Sequence, residues 1–175
     1  RELERKSGVK ISLELVKELR TITSASVLDC KNALHEVSGD IKKAVELLRK
    51  RGLELAAKKQ DKGAKEGRIE AYVHLGNKIG VLLEVACETD FVARSSEFCQ
   101  FTKDVAMQIA ACSPTYIKKE DVPQEVIENQ LDKELFFKDN CLLEQVFVKD
   151  ATLTIKDYLG SLIAKLGENI FIRRF

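Results

Sequence analysis

The sequence predicts an α+β protein, in which a small three-helix module precedes an antiparallel sheet packed with helices. Three observations predict it. Residues 12–52 place apolar side chains at helical spacing in three short runs, each opened by a capping residue. Residues 69–75 then alternate apolar and polar side chains and turn at Gly76-Asn77-Lys78 into the apolar run Ile79 to Cys87, a hairpin pattern. Helical periodicity resumes after residue 95, and the chain ends on a short apolar segment, Asn169 to Phe175.

In chain order, Ser12 caps a first helix whose apolar positions are Leu13, Val16 and Leu19. Ser26-Val-Leu-Asp29 reads as a capping box for a second helix, which presents Cys30, Ala33, Leu34 and Val37. Asp40 starts a third, with Ile41, Ala44, Val45 and Leu48 on one face, and Gly52 is expected to close it. In the first strand Ile69, Ala71, Val73 and Leu75 form the apolar side, and Glu70, Tyr72 and His74 the polar one. Ser95 or Ser96 caps a helix carrying Phe98, Phe101, Val105, Ile109 and Cys112, stopped by Ser113-Pro114. Pro123 opens another, with Val126, Ile127, Leu131 and Leu135 as its apolar positions. Phe136, Phe137, Leu142, Leu143 and Val146 add buried surface. Thr154-Ile-Lys-Asp157 is a second capping box, for a helix that Gly167 ends, and the tail reads as a last strand. The expected organisation is an N-terminal extension (1–11), a three-helix module (12–53), a charged linker (54–67) and an α+β core (68–175).

Composition narrows the function classes. Of 175 residues 45% are apolar and 33% charged, which fits a folded, well-solvated protein, and a net charge of +1 argues against a dedicated nucleic-acid binder. No apolar run is long enough to span a membrane, and residues 1–10 lack the apolar core of a signal peptide. With no initiator Met, the sequence reads as starting inside a longer chain. The five cysteines form no C-x-x-C pair and their odd number fits a disulfide framework poorly, so a reducing compartment is expected. Cys30, Cys99 and Cys112 read as small core residues. Only His35 and His74 could help ligate a metal, and no cofactor is expected. Nucleophilic chemistry would have to use Cys87 or Cys99 with His74, but no motif supports it, so the chain does not read as an enzyme.

Two stretches invite a functional reading. Residues 49–68 hold eight Lys or Arg against three acids, an RNA-binding arm or a solvated helical extension. The absence of an aromatic residue for base stacking favours the latter. The other stretch is the corner after the central strand, Glu88-Thr-Asp-Phe-Val92. An aromatic just past a buried strand either staples the next helix to the sheet or projects into a partner. Taken alone, Thr-Asp favours helix capping.

Several stretches, in order, resemble translation elongation factor Ts. They are Leu15-Val-Lys-Glu-Leu-Arg20, Leu28-Asp-Cys-Lys-Asn-Ala-Leu34, Gly39-Asp-Ile41, Leu48-Arg-Lys-Arg-Gly52, Ala56-Ala-Lys-Lys59, Val81 to Val92 with its Cys-Glu-Thr-Asp-Phe-Val, Leu142-Leu-Glu-Gln145, Val148-Lys-Asp150 and Gly167-Glu-Asn-Ile-Phe-Ile-Arg-Arg-Phe175. The resemblance runs from about residue 12 to the end. It implies a ubiquitin-associated-like N-terminal module, a single α+β core as in the short form of the family, and guanine-nucleotide exchange on elongation factor Tu. By that resemblance Thr89, Asp90, Phe91 and Val92 disturb the partner's Mg²⁺ and phosphate site, with Leu15, Arg20, Val27 and Leu28 making a second contact. It also implies a bacterial cytoplasm or an organelle interior, and pairing of two copies of the short form. Three departures stand out. Ser24-Ala-Ser-Val-Leu28 replaces the family's Gly-Ala-Gly-Met-Met, Val146 replaces a frequent Pro, and a helical stretch of about twenty residues is missing around Asn129 to Lys133.

Overall fold

The computed structural model describes residues 11–23, 25–59 and 63–175. Residues 1–10 of the expected extension, Ser24 of the departing loop and residues 60–62 of the expected linker lie outside them.

Helices α1 (Leu13–Thr23), α2 (Val27–Glu36) and α3 (Ile41–Lys59) open the fold. Each starts where the sequence places a cap. Ser12 Oγ accepts the N–H of Leu15, Ser26 Oγ that of Asp29, and Asp40 Oδ1 that of Lys43. The box at Ser26 is only half built, because Asp29 accepts the Ser26 hydroxyl at 2.5 Å rather than a backbone N–H. Val16, Leu19, Cys30, Ala33, Leu34 and Ala44 form a small separate core, with Leu15, Val37, Ile41, Val45 and Leu48 packed around it. Leu13, expected among the apolar positions, is exposed instead.

Gly52 does not close α3, which continues to Lys59. The reason lies 108 residues away in sequence, in α8 (Ile155–Leu166). A Cβ on Gly52 would stand 2.9 Å from the carbonyl oxygen of Gly160, and one on Gly160 3.0 Å from Leu53 Cδ2. The glycines therefore let two helix backbones cross closely, joining the module to the core. Arg49, on α3, adds a bond to the carbonyl of Thr152 at 3.3 Å.

The core sheet has three antiparallel strands in the order β1 (Glu66–Val73), β2 (Gly80–Cys87) and β5 (Phe171–Arg174). The connection between β1 and β2, closed by the His74 N–H on the Ile79 carbonyl at 2.9 Å, turns through left-handed backbone at Gly76 and Asn77, φ 92° and 57°. Gly67 is needed for a different reason, since a Cβ there would lie 2.3 Å from the carbonyl oxygen of Val85. The inner face of β2, Leu83, Val85 and Cys87, packs on α5 (Ser96–Cys112) through Phe98, Phe101, Val105 and Ile109. Ser95 caps α5, and Ser113, at φ 47°, ends it before Pro114.

The face expected inside on β1 is outside. Arg68, Glu70 and Tyr72 point toward the helices, whereas Ile69 and Val73, 67% and 63% exposed, and Leu75 point to solvent. The inward polar groups are satisfied: Arg68 pairs with Glu70 at 2.9 Å, Glu70 accepts the Thr102 hydroxyl, and Tyr72 packs on the core. Other departures are local. In place of one helix after Pro123 there are two short ones, α6 (Gln124–Glu128) and α7 (Lys133–Asn140), leaving Leu131 and Leu135 exposed. Phe136 and Phe137 are half-buried, whereas Cys112 and Val146 are exposed. Val146 opens a small antiparallel pair, β3 (Val146–Phe147) with β4 (Asp150–Thr154), that the sequence reading missed. The Thr154–Asp157 capping box then starts α8, and Gly167 ends it at φ 73°. No helix among the described residues is long and apolar enough to cross a membrane.

Candidate functional site

The site is the corner between β2 and α5. Burial falls away along it within five residues. Cys87 is fully enclosed, Glu88 half-buried, and Thr89, Asp90 and Phe91 exposed, before Val92 and Ala93 return to the core. The turn is the short helix α4 (Asp90–Ala93), capped by Thr89, whose Oγ1 accepts the N–H of Val92 at 3.3 Å. Capping and projection are therefore performed by different residues. Thr89 caps, Val92 at 6% exposure pins the turn to the core, and Phe91 at 83% exposure stands in solvent. Helical spacing explains the split, since neighbouring residues on a helical turn point about 100° apart.

An exposed phenyl ring on so short a turn buries almost nothing of itself and stabilises the fold little. The corner beneath it is held firmly. Glu168, in the α8–β5 loop, accepts the N–H groups of Glu88 and Thr89, each at 3.1 Å, and the Thr89 hydroxyl at 2.6 Å. Glu88 in turn accepts the N–H of Asn169 at 2.6 Å. Asp90 pairs with Arg94 one turn on, both side chains being largely solvated. The Cys87 thiol donates to the Thr89 carbonyl at 3.1 Å, and burial, aided by the Glu168 charge, pushes its pKa up to about 11. It is a neutral structural thiol at physiological pH, unsuited to nucleophilic attack. His74 is engaged elsewhere, with the Tyr72 hydroxyl at 3.0 Å.

The second group of sequence-selected residues divides. Leu15 packs against the module's core, Arg20 is exposed, and Val27 and Leu28, at the start of α2, are 52% and 66% exposed. A cleft of about 700 Å³ lies between module and core, but neither group lines it; Asp90 and Phe91 border a separate surface depression with Arg94 and Ser95. Ile22, Ala25 and Asp29 line the cleft from the module, and Ser96, Glu97 and Gln100 from α5. The Glu97 carboxylate in this lining is already paired, accepting the Ser96 hydroxyl at 2.8 Å. Hydrogen bonds from Ser96 and the backbone, with Lys165 at 3.1 Å, bring its pKa down to about 2. Sequence reasoning missed Glu168 and Asn169. The helix stop at Gly167 is a local signal, but nothing in the spacing tells which strand end the following carboxylate meets.

Comparison with known proteins identifies the setting of this corner. A family model described as elongation factor TS matches residues 10–135. The elongation factor Ts of Caldanaerobacter subterraneus subsp. tengcongensis is 53% identical over 188 aligned positions, covering 94% of this chain and 94% of that protein. That of Carboxydothermus hydrogenoformans is 51% identical, covering 94% and 87%, and that of Thermotoga maritima 47%, covering 95% and 94%. The chain belongs to the elongation factor Ts family. It is accordingly a translation elongation factor, working in protein biosynthesis. The 188 aligned positions exceed the 175 residues of this chain, so the pairing contains positions with no counterpart in this sequence. Around Asn129 to Lys133 the structure has only the Glu128-to-Lys133 connection between two short helices.

Proposed function

We propose that this protein promotes GDP release from elongation factor Tu, with Phe91 as the inserted group. The observation that carries the reading is a phenyl ring 83% exposed on a turn held by a buried neighbour and three hydrogen bonds to one carboxylate. An exchange factor makes and breaks no covalent bond. It binds the nucleotide-free GTPase more tightly than the loaded one, and only that difference in affinity moves the equilibrium. Speeding release about 10⁴-fold needs about 5.5 kcal/mol of barrier lowering. The Mg²⁺ and phosphate site is the sensitive target, because the metal demands near-ideal octahedral geometry and bridges phosphate oxygens to few side chains. Phe91 supplies the wedge, Asp90 exchanges its solvated Arg94 partner for a bond across the interface, and Thr89 and Val92 keep the turn rigid. Val27 and Leu28, with Arg20 and Leu15, form a second contact from the N-terminal module. The test is release of a fluorescent GDP from preloaded elongation factor Tu. Catalytic amounts of this protein accelerate release, with no hydrolysis of its own; an unchanged rate at saturating protein rejects the assignment.

The relatives named above are bacterial, which favours a bacterial cytoplasm over an organelle interior as the place of action. The RNA-grip alternative for residues 49–68 has less to stand on. Arg49, Arg51 and Arg68 are engaged by Thr152, Glu36 and Glu70 within the protein.

Pairing of two copies has its own observation in favour. Ile69, Ala71 and Val73 of β1 and Leu82 of β2 form an apolar patch on the outer face of the sheet, with Ala71 and Leu82 in direct register. Two such faces stacked about a two-fold axis make a sheet sandwich that covers both.

A further inference from the structure

The corner that carries Phe91 is assembled from two distant parts of the chain, and the second part is a single carboxylate. Glu168 lies one residue past the left-handed Gly167 that ends α8. Its Oε2 takes the last two backbone donors before α4, from Glu88 and Thr89, and its Oε1 takes the Thr89 hydroxyl. That last bond fixes how the hydroxyl is used. With its proton committed to Glu168, the oxygen offers a lone pair to the Val92 N–H, which is the cap of the turn. The return bond from the Asn169 N–H to Glu88 locks the α8–β5 loop to the corner from the other side.

We infer that Glu168 is a positioning residue for exchange: through Thr89 it holds α4 in the orientation that projects Phe91. The inference rests on the insertion reading above. The plainer alternative is that Glu168 only ties β5 to the sheet. The two differ in what the carboxylate acts through. If it acts through the corner, its removal costs activity only while Phe91 is there to be aimed. Charge-assisted bonds of this kind are about twice as strong as neutral ones, so their loss lets the turn sample other poses. A factor whose competent pose is populated a tenth of the time acts with about tenfold lower apparent affinity.

The experiment is a double-mutant cycle on the full chain, read by GDP release from elongation factor Tu and by thermal melting. Glu168→Ala is expected to lower exchange efficiency about tenfold or more. Glu168→Gln keeps an acceptor for the two N–H groups and its amide can meet Thr89 Oγ1, so it is expected to recover most of the loss. Glu168→Ala combined with Phe91→Ala should match Phe91→Ala alone within about twofold. Losses that multiply in the double variant, or an alanine variant as active as the parent, overturn the inference. If Glu168→Ala does not fold, Thr89→Val replaces it in the same cycle, with the same outcomes deciding, since it removes the hydroxyl that joins Glu168 to the cap of the turn. Should Phe91→Ala by itself leave exchange unchanged, the insertion reading falls, and that result is distinct from a failure of the Glu168 link.

Discussion

Replacing Phe91 and Val92 in turn by alanine separates what the corner does for the fold from what it does for a partner. The two are adjacent in sequence and opposite in burial, 83% against 6% exposed. Full burial of a large apolar side chain is worth roughly 1.5–3 kcal/mol, and Phe91 realises under a fifth of that, so Phe91→Ala costs about 0.5 kcal/mol or less. At about 2–4 °C per kcal/mol for a chain of this size, Tm falls by no more than about 2 °C. If Phe91 is the central anchor of the interface, its truncation removes about 2–4 kcal/mol of binding, roughly a 30-fold to 1,000-fold loss. Val92→Ala inverts the pattern. It removes about two buried carbon groups and leaves a small cavity, about 2 kcal/mol, for a Tm lower by about 4–8 °C. Fluorescent GDP release and melting of both variants are the assays, with exchange measured well below either Tm. A Phe91→Ala protein that melts many degrees lower and loses activity only in proportion refutes the division of labour, and makes Phe91 a structural staple.

Three further outcomes follow from other parts of the structure. Gly52→Val places a branched side chain against the Gly160 carbonyl, where a Cβ alone already comes to 2.9 Å, so it should cost about 2–3 kcal/mol, seen as a Tm lower by several degrees; an unchanged Tm means that α3 and α8 do not cross this closely. Leu82→Lys puts a charge in the exposed apolar sheet face and should turn a dimer into a folded monomer in sedimentation equilibrium with little change in Tm, whereas a parent protein already monomeric at tens of micromolar would sink the pairing. The Cys87 thiol, raised from 9.0 to about 11, contributes stability that is complete below pH 9 and is lost as pH rises toward 11; iodoacetamide at pH 8 should therefore label exposed Cys112 well before Cys87, and equal labelling by mass spectrometry counts against the enclosed thiol.

What could be read from the chain beforehand was whatever a few neighbouring residues decide. The caps at Ser12, Ser26, Asp40, Ser95 and Thr154 depend on a side chain reaching an N–H three residues on, and four were legible outright, with Ser95 read as one of two neighbouring serines. The β1–β2 hairpin was legible for the same reason, its turn being set by left-handed Gly76 and Asn77. The errors occur where a local pattern has two long-range meanings. A glycine after a run of basic residues marks a helix end or a helix crossing, and only Gly160, unseen in the spacing, chooses the crossing at Gly52. Alternation along β1 shows that its two faces differ in polarity but not which one the helices cover. Here the inward face carries Arg68 and Glu70, which are tolerated because each finds the other and Thr102. The apolar face is thereby left exposed to solvent.

The corner follows the same rule. Thr-Asp-Phe-Val was correctly legible as a cap, because capping is local. That Phe91 stands clear of the core depends on Val92 filling the core site in its place, one step of about 100° round the turn. That the turn is rigid depends on Glu168, 79 residues further on. Sequence alone could therefore name the residues of the corner, and a family resemblance could suggest their use. An exposed phenyl ring on a turn tied down by hydrogen bonds exists only once the α8–β5 loop has folded back against the end of β2.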